Sequence, residues 1–234
     1  MIKFIRNLKN CRGIYFKLAK MLNSRKKYKF YYFVGTVINR ALALNEGYVE
    51  LTQKGNYLCA IPLIRMQLDN ALICYSGLLV NDLDDYFDYI DKGKDIHKYK
   101  DKRGNMMFEK YLKQELNKEF RGVSTIYSET SKYVHLTTKH MNASFKSDNG
   151  KTVSKIGDYN NIFTPEERKA IDANMIEVNN ILLNTFVIWS KAVRNDLSLQ
   201  DQLKLGVSLN IMSETTQKEK QESSTLIDDF EPVK

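Results

Sequence analysis

Residues 164–193 read TPEERKAIDANMIEVNNILLNTFVIWSKAV, and the reading of this stretch decides the fold. Thr164 suits an N-cap, Pro165 the first helical position, and Glu167 the closing partner of a capping box. Behind them Ile171, Met175, Val178, Leu182, Thr185, Trp189 and Ala192 recur as a heptad stripe. The spacing predicts an unbroken helix about 45 Å long. A helix of that length with one apolar stripe belongs in a bundle.

The rest of the chain is consistent with that. Only three Pro and eleven Gly occur in 234 residues, so long helices go uninterrupted. Phe4, Leu8, Cys11, Tyr15, Leu18 and Leu22 share one face of a predicted helix over 2–22, with Lys3, Arg6, Lys9, Lys17 and Lys20 opposite. Asn23 to Lys27 reads as a basic turn. Further helices are expected over about 30–53, 57–80, 81–90 and 106–120, and Ser147-Asp148-Asn149-Gly150 signals a hairpin turn. A short helix is expected over 195–210. The sum is an all-α, antiparallel helical bundle with a small loop or hairpin insertion. It divides into a basic amphipathic helix at 1–29, a bundle domain at 30–212 and a disordered acidic tail at 213–234.

Composition narrows the function classes. The three cysteines, Cys11, Cys59 and Cys74, have no CxxC spacing. A zinc site or disulfide framework is therefore not expected, a reducing cytoplasm fits, and Cys59 and Cys74 read as small core residues. The most apolar run, 57–80, holds Arg65, Gln67, Asp69 and Asn70; these oppose a membrane span. There is no GxxxxGK[ST], GxGxxG, GxSxG or HExxH, so no cofactor and no metal is expected. Net charge is +8, and residues 1–45 hold eleven Lys or Arg and no acid. Such a head can attract RNA or another polyanion, and less readily a membrane surface; a protein partner or a homo-oligomer is the other expectation.

Two groups of residues could carry chemistry. Ser124, Ser128, Ser131, His135, Thr138 and Asn142 are spaced by four and three, which puts them on one face if 121–142 is a single helix. His135 at its centre is a candidate general acid or base. Arg65 and Asp69 are the only charges in the third helix, expected to be largely buried and paired, with Arg65 a candidate anion binder. His140, on another face, reads as a packing residue.

The segments Ile64-Arg65-Met66-Gln67-Leu68-Asp69 and Tyr127-Ser128-Glu129-Thr130-Ser131-Lys132-Tyr133-Val134-His135 resemble a group of bacterial helical proteins. That group has an Arg-x-x-x-Glu helix and a Tyr/Ser-rich helix ending in Val-His. It is similar to the HEPN-like bundles, many of which are RNases or toxins of defence systems. The resemblance covers residues 57–142 and implies a helical protein of bacterial defence or stress, acting on nucleic acid or a protein partner. Two departures limit it. Asp69 stands where the pattern has Glu. The HEPN RNase signature, an Arg separated from a His by four to six residues, is absent: those positions hold Thr130, Glu129 and Ser128 before His135, and His135, Val134 and Tyr133 before His140. The nuclease activity is therefore not carried over. An atypical nuclease or small hydrolase using His135 and Arg65 is the alternative, with a peripheral membrane or scaffold protein anchored by the first helix as another.

Overall fold

The computed structural model describes residues 2–22, 28–148, 151–154, 157 and 159–193. The expected helix over 195–210, the basic turn and the acidic tail lie outside them. The described helices are α1 (Ile2–Leu22), α2 (Tyr28–Gln53), α3 (Tyr57–Ser76), α4 (Leu83–Asp91), α5 (Glu109–Glu119), α6 (Val123–Ser131), α7 (Thr138–Ser144) and α8 (Pro165–Val193). Strands β1 (Phe145–Asp148) and β2 (Lys151–Ser154) form an antiparallel hairpin, Phe145 opposite Ser154. The chain is a helical bundle with a hairpin insertion.

The capping box opens α8 as its sequence predicts. The Thr164 N–H donates to Glu167 Oε2 at 2.8 Å, and the Glu167 N–H donates to Thr164 Oγ1 at 3.2 Å. Met175, Val178, Leu182, Thr185 and Trp189 are then all buried. Trp189 is fixed by its indole N–H, which donates to the Cys74 carbonyl at 2.7 Å. Gly77 is what lets it enter: a Cβ there would lie 2.1 Å from the indole. α3 is the central element, packed on both α2 and α8, while α1 lies against α2 and α8. Leu8, Cys11, Ile14, Tyr15 and Leu18 of α1 belong to the same core as residues of α2, α3 and α8. From Leu8 to Leu18 the apolar face of the first helix is thus inside the protein, while the side chains of Phe4 and Leu22 lie outside the described residues.

The fold departs from the sequence expectations at several points. The stretch 121–142 is not one helix. α6 stops at Ser131, a turn follows, and α7 begins at Thr138. The Thr137 hydroxyl donates to the Lys132 carbonyl at 2.7 Å and accepts from the Lys139 N–H at 3.3 Å. Thr137 therefore acts as N-cap of a new helix, and its hydroxyl supplies a local partner that competes with helix continuation. α3 ends at Ser76 rather than near Val80, and Cys59 is exposed rather than a core residue. Cys59 sits on the outer side of the first turn of α3, where its N–H is held by the Asn56 side-chain oxygen at 3.2 Å.

Candidate functional site

Arg65 collects most of the charge chemistry foreseen in the chain. Helix α3 carries it inward, 8 % exposed, and α5 and α6 close over it. Its Nε donates to Ser131 Oγ at 3.2 Å, and its two terminal nitrogens pair with Asp69 and Glu109. The guanidinium plane lies 3.7 Å from the centre of the Tyr127 ring, and Lys113 Nζ lies 4.6 Å from that centre. Burial raises the Tyr127 phenol above its usual pKa, with the Arg65 charge pulling against that.

This geometry assigns Arg65 a fixed place. Each face of the fork already meets a partner, and two carboxylates oppose its single charge. A free phosphate would have to displace them. Asp69 is paired as expected but is not largely buried, since about a third of its side chain is exposed. It sits at the outer rim, where α3 meets solvent. Among the described stripe residues, Ser131 is the one drawn into the node. Ser124 is half-buried, its N–H held by Asn117 Oδ1 at 3.0 Å, and Ser128 is exposed. His135 stands exposed in the turn beyond α6, and Thr138 is exposed on α7. The Asn142 side chain lies outside the described residues. The break after Ser131 therefore separates the serines of α6 from His135 and Thr138. His140 packs against Tyr133, ring centres 5.8 Å apart, in agreement with its reading as a packing residue.

A second polar cluster was not foreseen. Asn179 of α8 is wholly buried. Its Oδ1 accepts from Tyr15 OH at 3.0 Å, Asn45 Nδ2 at 2.8 Å and Gln67 Nε2 at 2.9 Å. Its Nδ2 donates to Asn45 Oδ1 at 2.9 Å and to the Met175 carbonyl at 2.8 Å. Gln67 Oε1 accepts from Asn70 Nδ2 at 3.0 Å, and the Asn70 oxygen accepts from Arg40. One amide thus ties α1, α2, α3 and α8 together. Burial pushes the Tyr15 hydroxyl well above its ordinary pKa, so it stays protonated and donating. The sequence signal was an Asn pair, Asn179-Asn180, inside an apolar helix. A third cluster joins Tyr48 and Tyr57 to the two oxygens of Asp172, at 3.0 and 3.3 Å. Burial, then the Asp172 charge, raises Tyr57 to about 12.

Among the described residues, no group of three or more His, Cys, Asp or Glu could hold a metal ion, and no helix is long and apolar enough to cross a membrane. The basic head is different in kind, because its outward face has no internal partner of opposite sign on the same helix. On α1, Arg12, Phe16, Lys17 and Lys20 are exposed, and the Arg12 guanidinium lies 5.6 Å from the centre of the Phe16 ring. The side chains of Lys3, Arg6 and Lys9 lie outside the described residues.

No known family, characterised protein or solved structure matches this chain. Function is therefore argued from the residues themselves.

Proposed function

We propose that this protein is a binder, not an enzyme, and that it holds a nucleic-acid phosphate backbone on the outward face of α1. One observation carries the reading. From Leu8 to Leu18 the apolar face of α1 is buried in the core, while Arg12, Phe16, Lys17 and Lys20 face solvent on a helix with no carboxylate. Residues i, i+4 and i+8 share a helix face, so Arg12, Phe16 and Lys20 line up along it. Point charges at that spacing suit a flexible polyanion, and Phe16 offers a ring on which an unpaired base can stack. Single-stranded RNA satisfies both features. A place in bacterial defence or stress is proposed on the resemblance of residues 57–142 alone.

The test is fluorescence anisotropy with a generic single-stranded RNA over a range of salt. Each neutralised phosphate contact contributes roughly 0.7 to the log–log salt slope for a single strand. Replacing Arg12, Lys17 and Lys20 together by Ala therefore lowers the slope by roughly 2. Phe16→Ala weakens binding without changing the slope. A parent that binds no RNA at low salt, or a triple variant with an unchanged slope, overturns the reading.

A further inference from the structure

The chain from Glu129 to Asp148 contains no carboxylate between those two residues, yet holds Lys132, Lys139 and Lys146. Glu129, at its edge, is paired with Lys132 at 2.6 Å, so that pair is neutral and Lys139 is the exposed lysine among the described side chains of the stretch. Within the same stretch stand the most exposed apolar side chains of the region: Leu136 at 89 %, Met141 at 59 %, and Val134 and Phe145 each at 48 %. These are not on a loose connection. The Tyr133 and Val134 N–H groups bond back to the Thr130 and Ser131 carbonyls at 3.0 and 3.2 Å. The Thr137 hydroxyl closes the turn on Lys132, and the Thr137 N–H reaches His140 Nδ1 at 3.4 Å. Tyr133 anchors the turn inward, packing on His140 and on Phe163 at 5.8 and 6.0 Å. The turn is thus held in a shape that presents Leu136 at its apex to water.

An ordered turn that displays Leu and Met beside an exposed lysine, with no carboxylate left unpaired in the stretch, fits a surface that is apolar inside and anionic outside. We infer that the α6–α7 turn and α7 form a peripheral contact with an anionic lipid bilayer. Leu136 and Met141 enter the acyl boundary, and Lys139 stays among the headgroups. Charge disfavours a second copy of this chain, because a homotypic contact would bring the exposed Lys139 of each copy together while the one carboxylate at the edge, Glu129, is already paired with Lys132. Side-chain type decides against nucleic acid, because three of the four exposed apolar groups are aliphatic and offer no ring for a base. This inference is independent of the RNA reading of α1, since the two surfaces share no residue.

The experiment is co-sedimentation of the full chain with phosphatidylcholine vesicles, with and without roughly one quarter phosphatidylglycerol. The parent binds the anionic vesicles preferentially. The Leu136→Ser/Met141→Ser variant, which keeps every charge, binds about tenfold more weakly, as expected when two apolar insertions are lost. Both side chains are mostly in solvent, so the fold is not at risk. A Leu136→Trp variant adds a reporter distinct from the buried Trp189, and its emission moves to shorter wavelength on vesicles. The Arg12, Lys17 and Lys20 triple variant keeps a bound fraction that survives about 0.5 M salt, where exposed charges are screened. No parental binding to anionic vesicles overturns the inference, as does an unchanged Ser/Ser variant. So does a Ser/Ser variant that loses RNA affinity or a dimeric state in place of vesicle binding.

Discussion

Replacing Asn179 by Ala tests whether one buried amide holds the bundle together. The substitution strands three buried donors at once: the Tyr15 hydroxyl, the Asn45 amide and the Gln67 amide, all within 3.0 Å of Asn179 Oδ1. A buried polar group left without a partner costs about 1–3 kcal/mol. Partial relaxation around the vacated space lowers that figure, and the cavity raises it. The expected loss is about 4–6 kcal/mol, comparable to the whole stability of a marginal domain. Tyr15→Phe removes a single donor while Asn179 keeps two others, so it costs only about 1 kcal/mol. The two changes are coupled, since both act on the same hydrogen bond. In the Asn179→Ala background the Tyr15 hydroxyl is already stranded, and Tyr15→Phe becomes neutral or stabilising there. Urea denaturation followed by Trp189 fluorescence gives all four corners of the cycle. A loss below about 2 kcal/mol for Asn179→Ala, or the same cost for Tyr15→Phe in both backgrounds, refutes the argument.

Three further outcomes follow from the geometry. Arg65→Ala leaves Asp69 and Glu109 facing each other, but both side chains are partly hydrated, 34 % and 45 % exposed. The expected loss is therefore about 2–3 kcal/mol, below the range for a fully buried broken pair, and is read from the same urea midpoints. A thiol reagent labels Cys59 quickly in the native protein and reaches Cys11 and Cys74 only after unfolding, because burial shields both and pushes Cys11 up to about 12. Burial pushes the Asp101 carboxyl upward, but hydrogen bonds from Tyr111, Asn105 and the Arg103 N–H outweigh it and hold the pKa below the ordinary Asp value. Its stabilising share is complete above that ordinary value and is lost as pH falls through the lower folded value. Asp101→Asn consequently lowers the midpoint at neutral pH and flattens its fall in acid.

Local signals made some elements legible and tertiary ones hid the others. The capping box of α8 and the apolar face of α1 are written in consecutive residues, and the structure reproduces them over the described side chains. The stripe of α8 is buried from Met175 to Trp189, but 178–183 is buried on every side, because α8 runs through the middle of the core rather than along its edge. The Arg65 node was half legible: its isolation in α3 foretold pairing, and Asp69 lies one turn on. Glu109 and Tyr127 come from α5 and α6, and no local pattern links them to Arg65. The stripe misleads because its 3.6 period runs on through Thr137-Thr138, where the first Thr is a cap. A hydroxyl that suits a helix face also suits the start of the next helix, and at residue 137 the carbonyl of Lys132 decides between them. The Asn179 node was illegible in a different way. Gln67, Asn70 and the Asn179-Asn180 pair stand out as polar residues in apolar helices, but nothing local links them to one another or to Asn45, and only packing brings them together.

Packing also decides how the charge of α1 can be tested. Removing the helix looks like the direct experiment, but Leu8, Cys11, Ile14, Tyr15 and Leu18 fill the common core. Their loss would uncover buried faces of α2 and α8 and leave Asn179 without its Tyr15 donor. Five buried side chains, at roughly 1.5–3 kcal/mol for each large aliphatic or aromatic one, amount to a loss comparable with the whole stability of an ordinary domain. A chain beginning at residue 28 is therefore expected to aggregate or to lose its cooperative transition, and its failure to bind RNA would say nothing about phosphate contacts. The Arg12, Lys17 and Lys20 substitutions leave the core untouched, so their urea midpoint stays within about 0.5 kcal/mol of the parent. A truncated chain that unfolds cooperatively at the parental midpoint would show that α1 is an appendage, and would undo the argument that its basic face is held rigidly outward.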